Sequence, residues 1–244
     1  MTDLLFDPQA WAALVTLSVL EIVLGIDNVV FISVLVARLD PVAARRARQI
    51  GLALALVFRV ALLLALTWLI GLTAPVVTVM ENAFSWHDII LIAGGLFLIA
   101  KATHEMHAEV ESAGEGEAGA PSSTRRAFAG IIAQVVVIDV VFSIDSIVTA
   151  IGMAQDVRIM IAAVLIAVAV MYVASGQVAA FIAEHPTTKM LALAFLVLIG
   201  AALVADGFDF HIPRGYIYFA MAFAGAVEAV NVIVLRKRRQ RRGR

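Results

Sequence analysis

The sequence predicts an all-α polytopic membrane protein: seven transmembrane helices, a 3+3 inverted repeat plus one extra C-terminal helix, with the N-terminus outside and the C-terminus cytoplasmic. Three observations predict it. The 244-residue chain is 62% hydrophobic and 15% charged, with a mean hydropathy of +0.98, against about 45–50% apolar and about 25% charged in soluble domains. Seven apolar stretches follow one another, most of them near the roughly 20 residues that a helix needs to cross a hydrocarbon core. One acidic motif occurs twice, each residue of the second copy lying 118 positions after its counterpart (21 against 139, 27 against 145).

The stretches cover residues 11–39, 49–72, 88–103, 128–153, 159–182, 190–205 and 215–235. They read as helices because only a helix or a closed barrel satisfies its backbone in lipid, and barrel strands alternate in character over about ten residues. The first is expected to be a retained span, since residues 1–8 lack a basic region and a small-residue cleavage site. Residues 1–235 then form one transmembrane domain. Repeat one lies at about 9–104, repeat two at about 127–206 and the seventh helix at about 214–235, with 105–126 as a cytoplasmic acidic linker and 236–244 as a basic cytoplasmic tail.

Charge between the stretches sets the orientation. Arg38, Arg45, Arg46, Arg48, Lys101, Arg125, Arg126, Lys189 and seven basic residues from Arg236 to Arg244 fall on one side, against Arg158 and Arg214 on the other. The positive-inside rule puts the crowded side in the cytoplasm. The linker carries Glu109, Glu111, Glu115 and Glu117 among Gly, Ala and Ser, a composition that favours a solvated, disordered segment. His104 and His107 form an HxxH without a third placed ligand. The basic tail fits anionic headgroups of the bilayer. Nothing aromatic or folded accompanies it, so no nucleic acid is expected.

The duplicated motif carries the chemistry. Glu21-Ile-Val-Leu-Gly-Ile-Asp27-Asn28 and Asp139-Val-Val-Phe-Ser-Ile-Asp145-Ser146 place four carboxylates inside apolar spans, where each charge costs several kcal/mol, from about 2.5 upward. Span one enters from outside and span four from inside, so the copies run antiparallel, an arrangement used by transporters with sites near the midplane. Glu228 joins the acids, and Arg59 is the one deep base facing them. A low-dielectric interior holds such an excess of negative charge only with protons or bound cations. The plainer reading is that Arg59 pairs one acid and the others stay protonated as packing hydrogen bonds.

On a straight helix, residues six apart differ by about 120° in direction and about 9 Å in height, so Glu21 and Asp27 do not face one point. Gly25 and Ser143 stand between the acids of each copy. Two explanations stand side by side: a helix break that turns both acids inward, or a small residue for tight helix crossing. Asn28, Ser146 and the pair Glu228 and Asn231, at i and i+3 on span seven, add oxygen ligands, so the candidate metal set is Glu21, Asp27, Asn28, Asp139, Ser143, Asp145, Ser146, Glu228 and Asn231. Hard oxygens suit Mn²⁺, Mg²⁺ or Ca²⁺. With no cysteine in the chain, disulfides, thiolate metal sites and cysteine nucleophiles are excluded.

These residues resemble the paired motifs of the TerC family of integral membrane proteins. Gly215-Tyr-Ile-Tyr-Phe-Ala-Met221 with Val227, Glu228 and Asn231 is similar to its last span. The family is named for tellurite resistance. The resemblance implies manganese export or homeostasis and kinship with inverted-repeat cation exporters. It also implies that Glu21, Asp27, Asn28, Asp139, Asp145 and Ser146 handle the ion.

The expectation is a bacterial inner-membrane divalent-cation transporter, Mn²⁺ first, working by alternating access. It would have no tightly bound cofactor, with protons as counter-ion, and association into a homo-oligomer is open. Alternatives are a Ca²⁺ or Na⁺ exchanger and a non-transporting membrane partner for metal delivery or resistance complexes. An enzyme is not expected: an aspartyl dyad needs its carboxyls about 3 Å apart, and no substrate-gating motif accompanies the acids.

Overall fold

The computed structural model describes residues 7–36, 39–65, 70–79, 82–114, 125–151 and 156–242. Certain side chains within these ranges, those of Asp27 and Asn28 among them, lie outside the described residues. The described elements are α1 (Pro8–Val36), α2 (Pro41–Leu64), β1 (Pro75–Val79), β2 (Asn82–Ser85), α3 (Trp86–Gly114), α4 (Arg125–Ile151), α5 (Val157–Glu184), α6 (Pro186–Gly207) and α7 (Arg214–Arg242). Six helices are long and apolar enough to cross a membrane, and α1 contributes a shorter apolar stretch, Pro8–Val23, among the described residues.

Local chemistry fixes the ends. Asp40 caps α2, accepting from the backbone N–H of Val42 at 3.1 Å and of Ala43 at 2.9 Å, with Pro41 pre-set for the first turn. Ser85 and Asp88 cap α3 reciprocally. The Ser85 backbone N–H donates to Asp88 Oδ2 at 2.8 Å, and the Asp88 N–H donates to Ser85 Oγ at 3.2 Å. A single residue, His185, separates α5 from α6. Pro186, which has no N–H to continue the ladder, starts the new helix there.

Two segments depart from the sequence expectation. Of span two, expected over 49–72, α2 covers the part to Leu64 and residues 66–69 lie outside the described residues. Past residue 72, where a plain loop was expected, the chain forms an antiparallel hairpin, β1 on β2, pairing Val77 with Phe84 and Val79 with Asn82. The β-branched run of β1 supplies the strand propensity. The expected disordered linker also begins later, because α3 continues to Gly114 and takes in His104 to Glu111. Its acids are held: Lys101 pairs with Glu105 at 2.7 Å, and Lys189 on α6 pairs with Glu109. His107 pairs with Glu111 at 3.0 Å on an exposed face. Residues 115–124 lie outside the described residues.

The helix contacts follow a regular scheme. α3 packs most broadly on α6, α2 meets α5 and α1 meets α4. α1 packs on α5 as α2 packs on α4, and α1 on α6 as α4 on α3. Exchanging the first three helices with the second three maps these pairings onto one another, whereas the packing of α1 on α2 and of α5 on α6 has no counterpart of similar extent among the described residues. Glycines permit the closest approach: a Cβ on Gly95 would lie 2.5 Å from the Gly200 carbonyl oxygen, and one on Gly200 would lie 2.8 Å from that of Gly95. α7 packs chiefly on α6 and leaves Tyr216, Phe219, Phe223, Val227 and Val230 exposed, the face that lipid would cover.

Candidate functional site

Both acidic motifs lie on unbroken helix. α1 runs through Glu21 to Asn28 and α4 through Asp139 to Ser146 without interruption. Of the two explanations the helix break is absent from these described helices, and the tight-crossing one fits Gly25, where a Cβ would fall 2.2 Å from Sδ of Met171 on α5. Glu21 sits about 20 Å along α1 from Pro8, and Asp139 about as far along α4 from Arg125, at 1.5 Å per residue. In a hydrocarbon core of about 30 Å, that is well below either surface.

The first acids of the two copies meet at one guanidinium. Arg59 of α2, 2% exposed, directs Nη1 to Glu21 Oε2, Nη2 to Asp139 Oδ1 at 3.3 Å and Nε to Ser143 Oγ at 3.1 Å. Ser143 Oγ lies 3.4 Å from Asp139 Oδ2, and Ser146 donates to the Ser143 carbonyl at 3.3 Å. The pairing is thus wider than the sequence reading, in which Arg59 pairs one acid. In a medium of low dielectric, one cation between two carboxylates is held tightly because removing it leaves both charges uncompensated. With both acids ionised, the cluster carries one negative charge in excess.

A second cluster lies beside it. Arg214, the first residue of α7, pairs its Nη2 with Asp145 Oδ2, and the same nitrogen lies 3.6 Å from Asp206 Oδ2 at the end of α6. Between the clusters is a cavity of about 40 Å³ lined by Arg59, Asp145, Ser146, Asp206, Arg214 and Tyr218, with apolar walls from α4, α6 and α7. One water needs about 10–15 Å³ on this measure, so the space takes a small ion with part of its hydration. Four described carboxylates (Glu21, Asp139, Asp145 and Asp206) face two guanidiniums across this region.

The structure brings together Glu21, Asp139, Ser143, Asp145 and Ser146. Asp27 and Asn28 lie outside the described residues. Glu228 and Asn231 do not join the site: Glu228 accepts from Thr187 at 2.5 Å, Thr188 at 3.1 Å and Asn231 at 3.2 Å. Thr187 is nineteen positions before Asp206 on α6, about 28 Å away along the helix. The shared face of Glu228 and Asn231 is real, but it is turned to the start of α6. Glu228→Gln is therefore expected to leave any ion flux in vesicles unchanged and to cost no more than about 1.5 kcal/mol in thermal unfolding, the value of a net hydrogen bond.

Sequence reasoning missed Asp206 and Arg214, which it placed at the rim of a span and in a loop. The available signal was an acid closing the apolar run Ala201-Ala-Leu-Val-Ala-Asp206. Among the described residues, no three acidic or histidine side chains converge as a ready metal cage. The carboxylates are instead distributed between guanidiniums.

Residues 6–243 match the integral membrane protein TerC family. The chain belongs to the TerC family. Its relatives agree along nearly the whole length. A UPF0053 protein of Haemophilus influenzae is 47% identical over 232 residues, covering 95% of this chain and 97% of the relative. The UPF0053 inner membrane protein YgdQ of Escherichia coli K12 is 48% identical over 227 residues, 93% of this chain and 94% of its own. YoaE, a further UPF0053 inner membrane protein of that strain, is 46% identical over 238 residues; the match covers 96% of this chain and 45% of YoaE. No solved structure matches. With six spanning-length helices among its described residues and inner membrane proteins among its relatives, this TerC-family chain is a multi-pass inner-membrane protein.

Proposed function

We propose that this TerC-family protein transports a divalent cation across the inner membrane, Mn²⁺ first, by alternating access at the intramembrane carboxylates. The observation that carries the reading is the cavity between the two clusters, lined by Asp145 and Asp206 with Arg59 and Arg214, while Glu21 and Asp139 lie beyond it on Arg59. The uncompensated charge of two is neutralised by one divalent ion or by two protons, which makes proton exchange the natural coupling. Asp145, Asp206 and Ser146 offer the hard oxygens that Mn²⁺, Mg²⁺ and Ca²⁺ prefer. The cation is cargo, and the chain needs no resident cofactor and no catalytic role.

An inverted repeat of α1–α3 and α4–α6, with the N-terminus outside and the C-terminus cytoplasmic, is part of the proposal. Its support is the set of helix pairings that survive exchange of the two halves, together with the segregation of basic residues. Export as the direction, and manganese as the preferred ion, rest on the TerC resemblance. The absence of a three-acid cage among the described residues favours one second reading, a non-transporting membrane partner whose ion pairs are structural.

Purified protein in liposomes separates the readings. Wild-type vesicles are expected to move Mn²⁺, and Asp145→Asn is expected to lower the rate by about tenfold or more, since removing one charge-paired ligand is worth on the order of 1.4 kcal/mol or above. Vesicles that pass no divalent ion overturn the transport reading in favour of the partner. Movement of Ca²⁺ or Na⁺ with Mn²⁺ excluded replaces manganese by the exchanger alternative.

A further inference from the structure

The two arginines of the site are held differently. Arg59 is 2% exposed and spreads three nitrogens over Glu21, Asp139 and Ser143. The Arg214 side chain is 29% exposed and serves both of its acids with one nitrogen. Arg59 comes from inside the first three-helix group, locked between α1 and α4. Arg214 comes from outside both groups, on the first residue of a helix that packs chiefly on α6. An irregular connection leads to it: residues 208–213 are exposed and non-helical, and Asp209 takes a left-handed φ of 61°, a conformation uncommon outside glycine. Arg59 is thus the enclosed counter-charge, and Arg214 the partly exposed one.

We propose that Arg214 is a tethered cation that competes with the transported ion for Asp145, leaving when the ion enters and returning to expel it. The inference rests on the transport reading and adds the device that sets affinity and release. A divalent ion binds carboxylate oxygens at about 2.0–2.6 Å, and Asp145 Oδ2 is the oxygen that the Arg214 nitrogen holds. Two like charges do not share that oxygen in a cavity of about 40 Å³, so binding of one requires withdrawal of the other. The apparent affinity for the ion is then its intrinsic affinity reduced by the fraction of molecules in which Arg214 has withdrawn. Arg59 supplies no such competition because its three nitrogens are spread over the buried Glu21, Asp139 and Ser143. The loosely packed start of α7 is where the exchange takes place.

The chain has no cysteine, so charge at this one position is adjustable. Arg214→Cys, purified in detergent and titrated with Mn²⁺ by electron paramagnetic resonance of the free ion, is expected to lower the half-saturating concentration about tenfold, corresponding to a site closed by the guanidinium nine-tenths of the time. Modifying the introduced thiol with a trimethylammonium-ethyl methanethiosulfonate restores the wild-type value, and a neutral methyl reagent leaves it low. In vesicles the same variant lowers KM and kcat together, because entry is eased and expulsion lost. Arg214→Lys, a point charge that bridges two carboxylates less well, lowers half-saturation by about threefold on the same argument, and it carries the test should the cysteine variant fail to fold. An unchanged or raised half-saturation in either variant overturns the proposal, as does equal restoration by both reagents. Wild-type protein that binds no divalent ion removes the transport reading and this inference together, whereas binding indifferent to charge at 214 removes the inference alone.

Discussion

Arg59→Met is expected to lose about 3–5 kcal/mol of stability, the cost of breaking a buried ion pair from one side. Few single changes in this protein should cost more. Glu21 and Asp139 are both 5% exposed or less and lean on the same guanidinium, so its removal leaves two carboxylates facing each other in a medium that solvates neither. Against a total of about 5–15 kcal/mol for a typical domain, that loss is seen as a fall in detergent melting temperature or as failure to accumulate. The cause is tested by compensation. Glu21→Gln and Asp139→Asn, added to Arg59→Met, remove the orphaned charges and should recover most of the loss, since a buried ionic cluster exchanged for neutral groups is often close to neutral in stability. If the triple variant is no better than the single one, Arg59 acts through packing volume and the electrostatic account is wrong.

Gly95→Val is the second large effect. The new Cβ alone would lie 2.5 Å from the Gly200 carbonyl oxygen and 3.0 Å from the Val204 backbone nitrogen. These are backbone atoms of α6 and have no rotamer to yield, so relief requires the two helices to separate. They form the broadest helix contact among the described residues, and overpacking there costs on the order of 1–3 kcal/mol or more. Gly200→Val meets the same obstacle from the other side. A pair of changes relieved by one separation is less than additive, so the double variant should lose clearly less than the sum of the two. Gly130→Ala is the control: no atom lies within 4 Å of its Cβ position, and stability should hold or rise slightly by less than about 1 kcal/mol. Full additivity in the double variant would mean that the glycines act at independent sites.

How far the site could be read from sequence depends on which coordinate was asked of it. Hydropathy reports depth, and it placed Glu21, Asp139 and Arg59 inside apolar spans. It does not report azimuth. Glu228 and Asn231 were correctly put on one face, but only tertiary packing decides that this face looks toward Thr187 and Thr188. Arg214 and Asp206 fell at the boundaries of their stretches, where composition resembles a loop, although a guanidinium on a long stem reaches inward from such a place. Residues 104–114 looked solvated because Glu109 and Glu111 were counted as free charges, whereas the partner of Glu109 is Lys189, eighty positions away. Gly25 offered two meanings that a linear pattern does not separate, and Met171 on another helix chooses between them.

The single residue between α5 and α6 makes a stiff elbow. With no slack between them, those helices tilt as one lever. One arm lies against the crossing of α1 at Gly25, and the other ends in Asp206 beside the cavity. Rocking of α1 is thereby expected to shift the height of Asp206, an acid more than a hundred positions further along the chain, and adding flexible residues at His185 is expected to disengage the two.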